Sequence, residues 1–380
     1  MTRFLVILAV LLAVLLAIER LDDARHAAAR RLASTLRPLH PWPAAIDEAS
    51  LLDSVATIVI RPPHRDTSWT YTRRAGHWRY PADHDAFVDE PRVERLLRGT
   101  LLGLATVVAT DTRRDRHLGF DPATPGAGNA GGAMAVELLD AAGTPLLAVR
   151  LGRGAPGPSS GECYARVAGA DTVFQLHAEP RQVVAPAARP GMPAAGLDMP
   201  APMLDPHVFP RALPRRATVR VVLRRTAVPD SLVLQRITIE PEDSTDLRSR
   251  LQDGPTYRWL LREGGRERPC NTGRVFDYLA FLRRLTWLEL LDPADAGADA
   301  DSRGRISLED ETGTTDVLEL GAMVPRPAGT GRPPGLMVRN RTTGQLLLVE
   351  PALGDWLVPP AAALTDTSDA PSPFRALAAP

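Results

Sequence analysis

The chain opens on Met1, Thr2 and Arg3 and then runs through fifteen apolar positions without a break, from Phe4 to Ile18. In a helix rising about 1.5 Å per residue, such a run falls short of the ~30 Å hydrocarbon core of a bilayer. It spans only if Thr2, Arg3 and Glu19 complete its ends at the interfaces. The helical pattern continues through the charged stretch Glu19 to Asp23 as far as about Leu36, ahead of Pro38. The small triplet Ala27, Ala28, Ala29 lies beyond those charges, which is a poor place for a cleavage site. Residues 1–36 therefore read as an uncleaved membrane anchor with a helical extension, and a cleaved signal peptide is the competing reading.

Further along, the period changes to that of strands and amphipathic helices, and the same order of segments occurs twice. A first copy, residues 50–180, starts with the strand-like Thr57–Pro63 and passes through Trp78, Tyr80 and Pro81 into an apolar-striped helix over 90–108. A second copy, residues 231–358, starts with Arg236–Glu242 and passes through Tyr257 and Trp259 into a helix over 273–290. Asp89 is a plausible cap in the first copy, Asn271 or Thr272 in the second, and each helix carries an Arg-Val pair in its first turns. Val93, Leu96, Leu97, Leu101 and Leu104 match Val275, Tyr278, Leu279, Leu282 and Leu285, giving one buried stripe per helix. Alternating strands with glycine-centred turns follow both helices, at Gly143 and Gly169 in one copy and Gly313 and Gly344 in the other. The predicted fold is α+β: an N-terminal transmembrane helix, then two repeated units, each an antiparallel meander with a packed helix.

Between the copies the pattern breaks down. Residues 181–230 read as a Pro-rich linker that ends in an Arg-rich segment, with nine prolines between Pro180 and Pro214. Arg211 to Arg225 then holds six arginines and no acid: Arg211, Arg215, Arg216, Arg220, Arg224 and Arg225 are the candidate interaction residues. A solvated strand beside a linker is the alternative for that stretch. Residues 359–380, rich in Ala, Pro and Ser, are expected to be a disordered tail.

Composition removes several functions. All 45 basic residues are arginine, so a Walker-type phosphate loop, a kinase lysine and a lysine Schiff base have no residue to build on. Equal numbers of acids and bases, 45 each, remove the bulk attraction to nucleic acid. Gly152 to Gly157 spells a dinucleotide fingerprint and Gly157 to Gly161 a nucleophile elbow, but each needs a helix after a strand, and another strand follows. Asp299 to Asp310 imitates a calcium loop with Arg303 at a ligand position. His77 and His84, with Asp83 and Asp85, suit a surface turn better than a metal site. Neither a cofactor, a metal nor a catalytic residue is assigned. Cys163 and Cys270 could form one disulfide or stay as two thiols.

The order of motifs in the first copy carries a resemblance. Trp78, Tyr80-Pro81-Ala82-Asp83, Leu96-Leu97, Leu118-Gly119-Phe120-Asp121-Pro122, Leu151-Gly152 and Tyr164-Ala165-Arg166 follow one another as in the domain of unknown function 4340 family. That family consists of membrane-anchored proteins found beside gliding-motility-type ABC transport systems. The resemblance covers residues 55–180 and is weaker over 232–358, where the Gly-Phe-Asp-Pro element is missing. It implies a non-enzymatic accessory or scaffold protein, tied to the cytoplasmic membrane through Phe4–Ile18, whose partners are an ABC permease or auxiliary membrane proteins. It also implies a single-pass protein whose soluble body lies in the periplasm or outside. The flanking charges point the other way, since Arg20, Arg25, Arg30 and Arg31 outnumber Arg3. A different class of function is an envelope polymer- or lipid-binding module that uses the cleft between the copies or the Arg-rich segment.

Overall fold

The structure is a computed structural model that describes most of residues 36–62, 67–120, 132–155, 161–181, 202–239, 256–295, 302–325 and 334–377. The Phe4–Ile18 run lies outside the described residues. Among the described residues, no helix is long and apolar enough to cross a membrane. The fold is α+β, with two large antiparallel sheets and few helices. By compactness the chain divides into two units, Met1–Arg73 with Pro91–Met203, and Arg74–Glu90 with Leu204–Pro380.

The first sheet holds β1 (Arg37–Pro38), β2 (Thr57–Arg61), β3 (Trp69–Arg74), β4 (His77–Tyr80), β5 (Ala86–Phe87), β6 (Leu104–Ala109), β7 (Met134–Leu139), β8 (Pro145–Gly154), β9 (Cys163–Val167) and β10 (Val173–Leu176). Its order is β1-β6-β10-β9-β8-β7-β2-β3-β4-β5. Period-two patterning explains the strands. Ile58 and Ile60 on β2, and Met134, Val136 and Leu138 on β7, are buried while their neighbours are not.

The second sheet holds β11 (Thr218–Arg225), β12 (Leu232–Ile239), β13 (Thr256–Glu263), β14 (Arg266–Pro269), β15 (Glu289–Leu291), β16 (Gly304–Asp310), β17 (Thr315–Val324), β18 (Gly335–Asn340) and β19 (Leu346–Val349). Its order is β14-β13-β12-β11-β16-β17-β18-β19-β15. Read from the opposite edge, this is the order of the first sheet from β6 to β5, strand for strand, with β11 in the place of β2. Just as β2 pairs antiparallel with β3 and β7, β11 pairs antiparallel with β12 and β16.

Small details repeat with the order. The β7–β8 turn closes when Asp140 Oδ1 accepts the amides of Ala142 and Thr144 at 2.9 and 2.8 Å. In the β16–β17 turn, Asp310 Oδ1 accepts those of Thr312 and Thr314 at 2.8 and 3.0 Å. Gly143 and Gly313 take φ of +80° and +81° in these turns, a conformation that costs other residues energy. The β8–β9 register shifts between Leu151 and Gly154, and the β17–β18 register shifts between Leu320 and Met323. A Leu-Gly pair thus stands at the same irregularity in both sheets.

The Arg-rich stretch is where the strand order departs most from expectation. Arg236 was the expected start of the second copy, with Arg211 to Arg225 outside it; instead Thr218–Arg225 is the central strand β11. The tight β13–β14 turn at Gly264-Gly265 imitates the β3–β4 turn at Ala75-Gly76, so a local match aligns the copies one strand out of phase. Only the non-local pairing of β11 with β16 sets the phase.

Both expected helices form but stop early. α1 (Glu48–Ser54) precedes the first sheet's β2; α2 is Glu90–Leu101, α3 is Asp115–Leu118, and α4 is Thr272–Arg284. Val93, Leu96, Leu97 and Leu101 are buried as their spacing predicts, but Leu104, expected in the same stripe, is 49% exposed. The reason is Gly103 and the run that follows it. A Cβ at Gly103 would meet Gly99 O at 2.3 Å, and Thr106, Val107 and Val108 belong to β6, which pairs with β10. β-Branched residues favour that edge over a further helical turn. In the second helix Asn271 is the cap, accepting the Arg274 amide on its side chain at 3.3 Å. That helix ends at Arg284, and Glu289–Leu291 turns into β15 against β19.

The segment after Pro359 was expected to be disordered, yet its described residues form helices α6 (Ala361–Thr365) and α7 (Pro373–Leu377), after α5 (Gly354–Leu357). Leu364 O accepts the Asn271 amide at 3.0 Å, and Arg274 donates to Asp366 at 2.8 Å. Phe374 is fully buried against Tyr278, Phe281 and Trp356, with ring centroids 5.1, 6.3 and 5.9 Å away. Low hydrophobicity hid a segment held by one aromatic anchor and a capping network. Phe374→Ala should therefore lower stability by about 3–5 kcal/mol, read as a shifted denaturation midpoint. An unchanged midpoint would show that the tail contributes nothing.

Candidate functional site

Three of the motif elements that carry the resemblance, Leu118-Gly119-Phe120, Leu151-Gly152 and Tyr164-Ala165-Arg166, converge in the first unit, while Trp78 and Tyr80-Pro81-Ala82-Asp83 belong to the second. α3 ends at Gly119, whose φ of +81° turns the chain so that Phe120 lies over the sheet. Leu118, Phe120, Tyr164 and Val173 form one buried cluster. Arg150 on β8 donates to Phe120 O at 2.9 Å. Arg166 on β9 donates to Asp115 Oδ2 at 2.8 Å and, through its second terminal nitrogen, to Oδ1, while its guanidinium sits 4.8 Å from the centre of the Phe120 ring. The bidentate pair holds the Arg166 guanidinium protonated, its pKa raised first by the Asp115 hydrogen bonds against the cost of burial. Gly152 completes the fit, because a Cβ there would meet Leu118 O at 2.2 Å and Phe120 Cζ at 3.0 Å. This arrangement clamps a short segment onto two strands. Asp121 and Pro122 lie outside the described residues.

The second unit keeps the frame and changes the filling. The 3-10 turn Pro293–Asp295 follows β15 as α3 follows β6, and Gly321 stands where Gly152 does. The space beside Gly321 is taken by Met337, whose Cε would be 2.7 Å from an added Cβ.

Four of the six candidate arginines, Arg211, Arg220, Arg224 and Arg225, lie among the described residues. Arg211 is exposed and its backbone amide donates to Asp205 Oδ2 at 2.5 Å. Arg215 and Arg216 lie outside the described residues. Strand alternation on β11 buries Val221 and Leu223 and leaves Arg220 and Arg224 exposed. Arg220 pairs with Glu309 at 3.3 Å, an exposed pair worth little by itself. Arg225 donates from Nε to Val358 O at 3.0 Å and again from Nη2. Arg224 lies directly across the β11–β16 ladder from Arg305. Arg224, Arg225 and Arg305, with Thr226, Val228 and Gly304, line a cleft of about 300 Å³.

Sequence reasoning missed a buried acid–histidine pair inside the stretch read as linker. Asp205 Oδ1 lies 2.6 Å from His207 Nδ1 and accepts the His207 amide at 3.0 Å. Trp287 Nε1 donates to Asp205 O at 2.9 Å, and Asn340 Nδ2 to Val208 O at 2.9 Å. These bonds fasten the segment around Val208 to the second unit. The Asp-Pro-His string was the available signal, since Asp before Pro favours a turn that its own side chain closes.

Other strings resolve into turns. β8 is followed by β9 in an antiparallel pair, with Pro156 to Ser160 outside the described residues. Asp310 closes the β16–β17 hairpin, while Asp299 and Asp301 lie outside the described residues. His77 Nδ1 faces Glu90 Oε1 at 3.1 Å, and His84 and Asp85 occupy a turn with φ of 49° and 54°. Among the described residues, no group of three or more His, Cys, Asp or Glu could hold a metal ion. The two cysteines are not joined in a disulfide, and burial pushes the Cys270 thiol up to about 11, with Arg268 pulling it down less.

No family model, curated protein or solved structure matches the chain.

Two outcomes follow from this geometry. Gly152→Ala should destabilise by about 1–3 kcal/mol because its Cβ meets a backbone oxygen, and Gly321→Ala by less, since the end of Met337 can move. Denaturation midpoints of the two variants test this, and equal losses would contradict it. Alkylation of Cys270 in the native chain should be slow at pH 8 and accelerate toward pH 11, because the thiolate is the nucleophile. Rapid native-state labelling at pH 8 would contradict the burial.

Proposed function

We propose that this chain is a non-enzymatic, membrane-anchored accessory protein of an ABC-type transport system, with its body outside the cytoplasmic membrane. In this reading a transmembrane helix, Phe4–Ile18, precedes two repeated units, each an antiparallel meander with a packed helix. One observation carries it most directly: three motif elements of the resemblance meet in a structural clamp, Arg166 on Phe120 and on the nearby Asp115, and Gly152 under Leu118. A signature spent on holding a segment to a sheet fits a protein that works by presenting surfaces. A short tether would add a high effective concentration near membrane partners, so that weak contacts to a permease become populated.

A reporter fused to the C-terminus, combined with protease access in spheroplasts, tests the topology. The expected result is an external, protease-sensitive body, and a protected cytoplasmic body would overturn the reading. With the body external, replacing Phe4–Ile18 by a cleavable signal should release a folded protein that no longer supports its transport system. Full support from the released form would make the tether dispensable and remove the scaffold role.

A further inference from the structure

The register of the second sheet contains an expense that the fold does not require. Arg224 and Arg305 are directly opposed across the β11–β16 ladder, a like-charge pairing that destabilises a sheet. Neither side chain has a hydrogen bond or ion pair among the described residues, and both are exposed. On its other side Arg305 stands directly across from Glu319 of β17, whose Oε2 also accepts Arg341 Nε at 2.6 Å, while Glu309, four residues along β16, pairs with Arg220 at 3.3 Å. The next residue, Arg225, faces the other side of the strand, where Val358 O holds its guanidinium and fixes the end of β11. The backbone is shaped for it too. Thr226 N donates to Arg303 O at 3.1 Å, and Gly304 approaches so closely that an added Cβ would lie 2.5 Å from Arg224 O. The result is a cleft of about 300 Å³ lined by Arg224, Arg225 and Arg305 and, among the described residues, by no carboxylate.

We propose that this cleft, at the meeting of the β11 end and the β16 start, is a binding site for a phosphate-type oxyanion. Guanidinium groups donate in a planar fork that matches phosphate oxygens, and a bound phosphate-type anion would turn the Arg224–Arg305 repulsion into attraction to a shared ligand. The cleft suits a compact group of this kind rather than an extended acidic segment. The ligand group could be free phosphate or the phosphodiester of a lipid headgroup, which share this chemistry. The site does not depend on the accessory reading, since it rests on the second unit alone.

The test uses the full-length chain in neutral detergent, titrated calorimetrically with inorganic phosphate and, separately, with glycerophosphoglycerol, a soluble lipid-headgroup diester. Saturable binding of either is expected, weaker at higher salt; the tighter arm identifies the source. Arg224→Gln and Arg305→Gln should each weaken it about tenfold or more, the worth of one charge-assisted hydrogen bond. Arg220→Gln, which removes the same charge from the same strand, should bind as the parent does. Without ligand, the melting temperature of Arg224→Gln and Arg305→Gln should stay the same or rise, because a like-charge pair is relieved, and this separates a lost site from a lost fold. No saturable binding in either arm would overturn the proposal, as would equal binding by Arg224→Gln and Arg305→Gln or equal weakening by Arg220→Gln.

Discussion

Each sheet depends on one non-local pairing through its middle. β2 must find β7, and β11 must find β16, across three intervening strands, a helix and one further strand, β6 or β15. Every other antiparallel pair in either half is nearer in sequence or hangs on the outer side of this seam, apart from the return of β6 to β10 and β15 to β19. Such pairings cost loop-closure entropy before they contribute anything, so their strands carry strongly buried residues: Ile58 and Ile60 on one side, Val221 and Leu223 on the other. The helices follow from the same seam, since α2 and α4 are the connections that lead the chain from one edge of each sheet to the other.

Around that common frame the two units have been filled differently. In the first, a short helix and Phe120 are clamped by Arg150 and Arg166 onto β8 and β9, and Gly152 leaves room for them. In the second, Met337 occupies the space beside Gly321, and the seam strand carries outward arginines where β2 carries Thr57, Val59 and Arg61. Identical turns at Asp140 and Asp310 mark the shared frame, and the different fillings mark where the units diverge in use. The buried clamp holds its segment through the Arg166–Asp115 pair, whereas the exposed Arg224–Arg305 pair sets two like charges face to face, which is why the latter points to a ligand.

Much of this was legible in the sequence. Period-two runs located most strands, the Val93 and Val275 stripes located both helices, and glycine located the turns at Gly143 and Gly313. What escaped was set by contacts distant in sequence. For β11 the sequence offered an Arg-rich interaction segment or a solvated strand beside a linker, and its central place in the sheet stayed hidden because its outward positions are arginine and only Val221 and Leu223 show the buried face. Leu104 looked helical because a stripe does not reveal where Gly103 forces the chain to turn. The tail looked disordered because one phenylalanine, Phe374, and the Asp366 contact to Arg274 supply its anchorage. Asp205 and His207 were passed over because a proline-rich composition suggests solvent, whereas both are buried.

Hydrogen–deuterium exchange of peptides covering Thr218–Arg225 tests the central claim most directly. If this stretch is the seam strand of the second sheet, its amides should be protected to the same degree as those of Thr57–Arg61, the seam strand of the first. Exchange of Thr218–Arg225 at the rate of an open linker, with Thr57–Arg61 protected, would contradict the shared architecture and the cleft that rests on it.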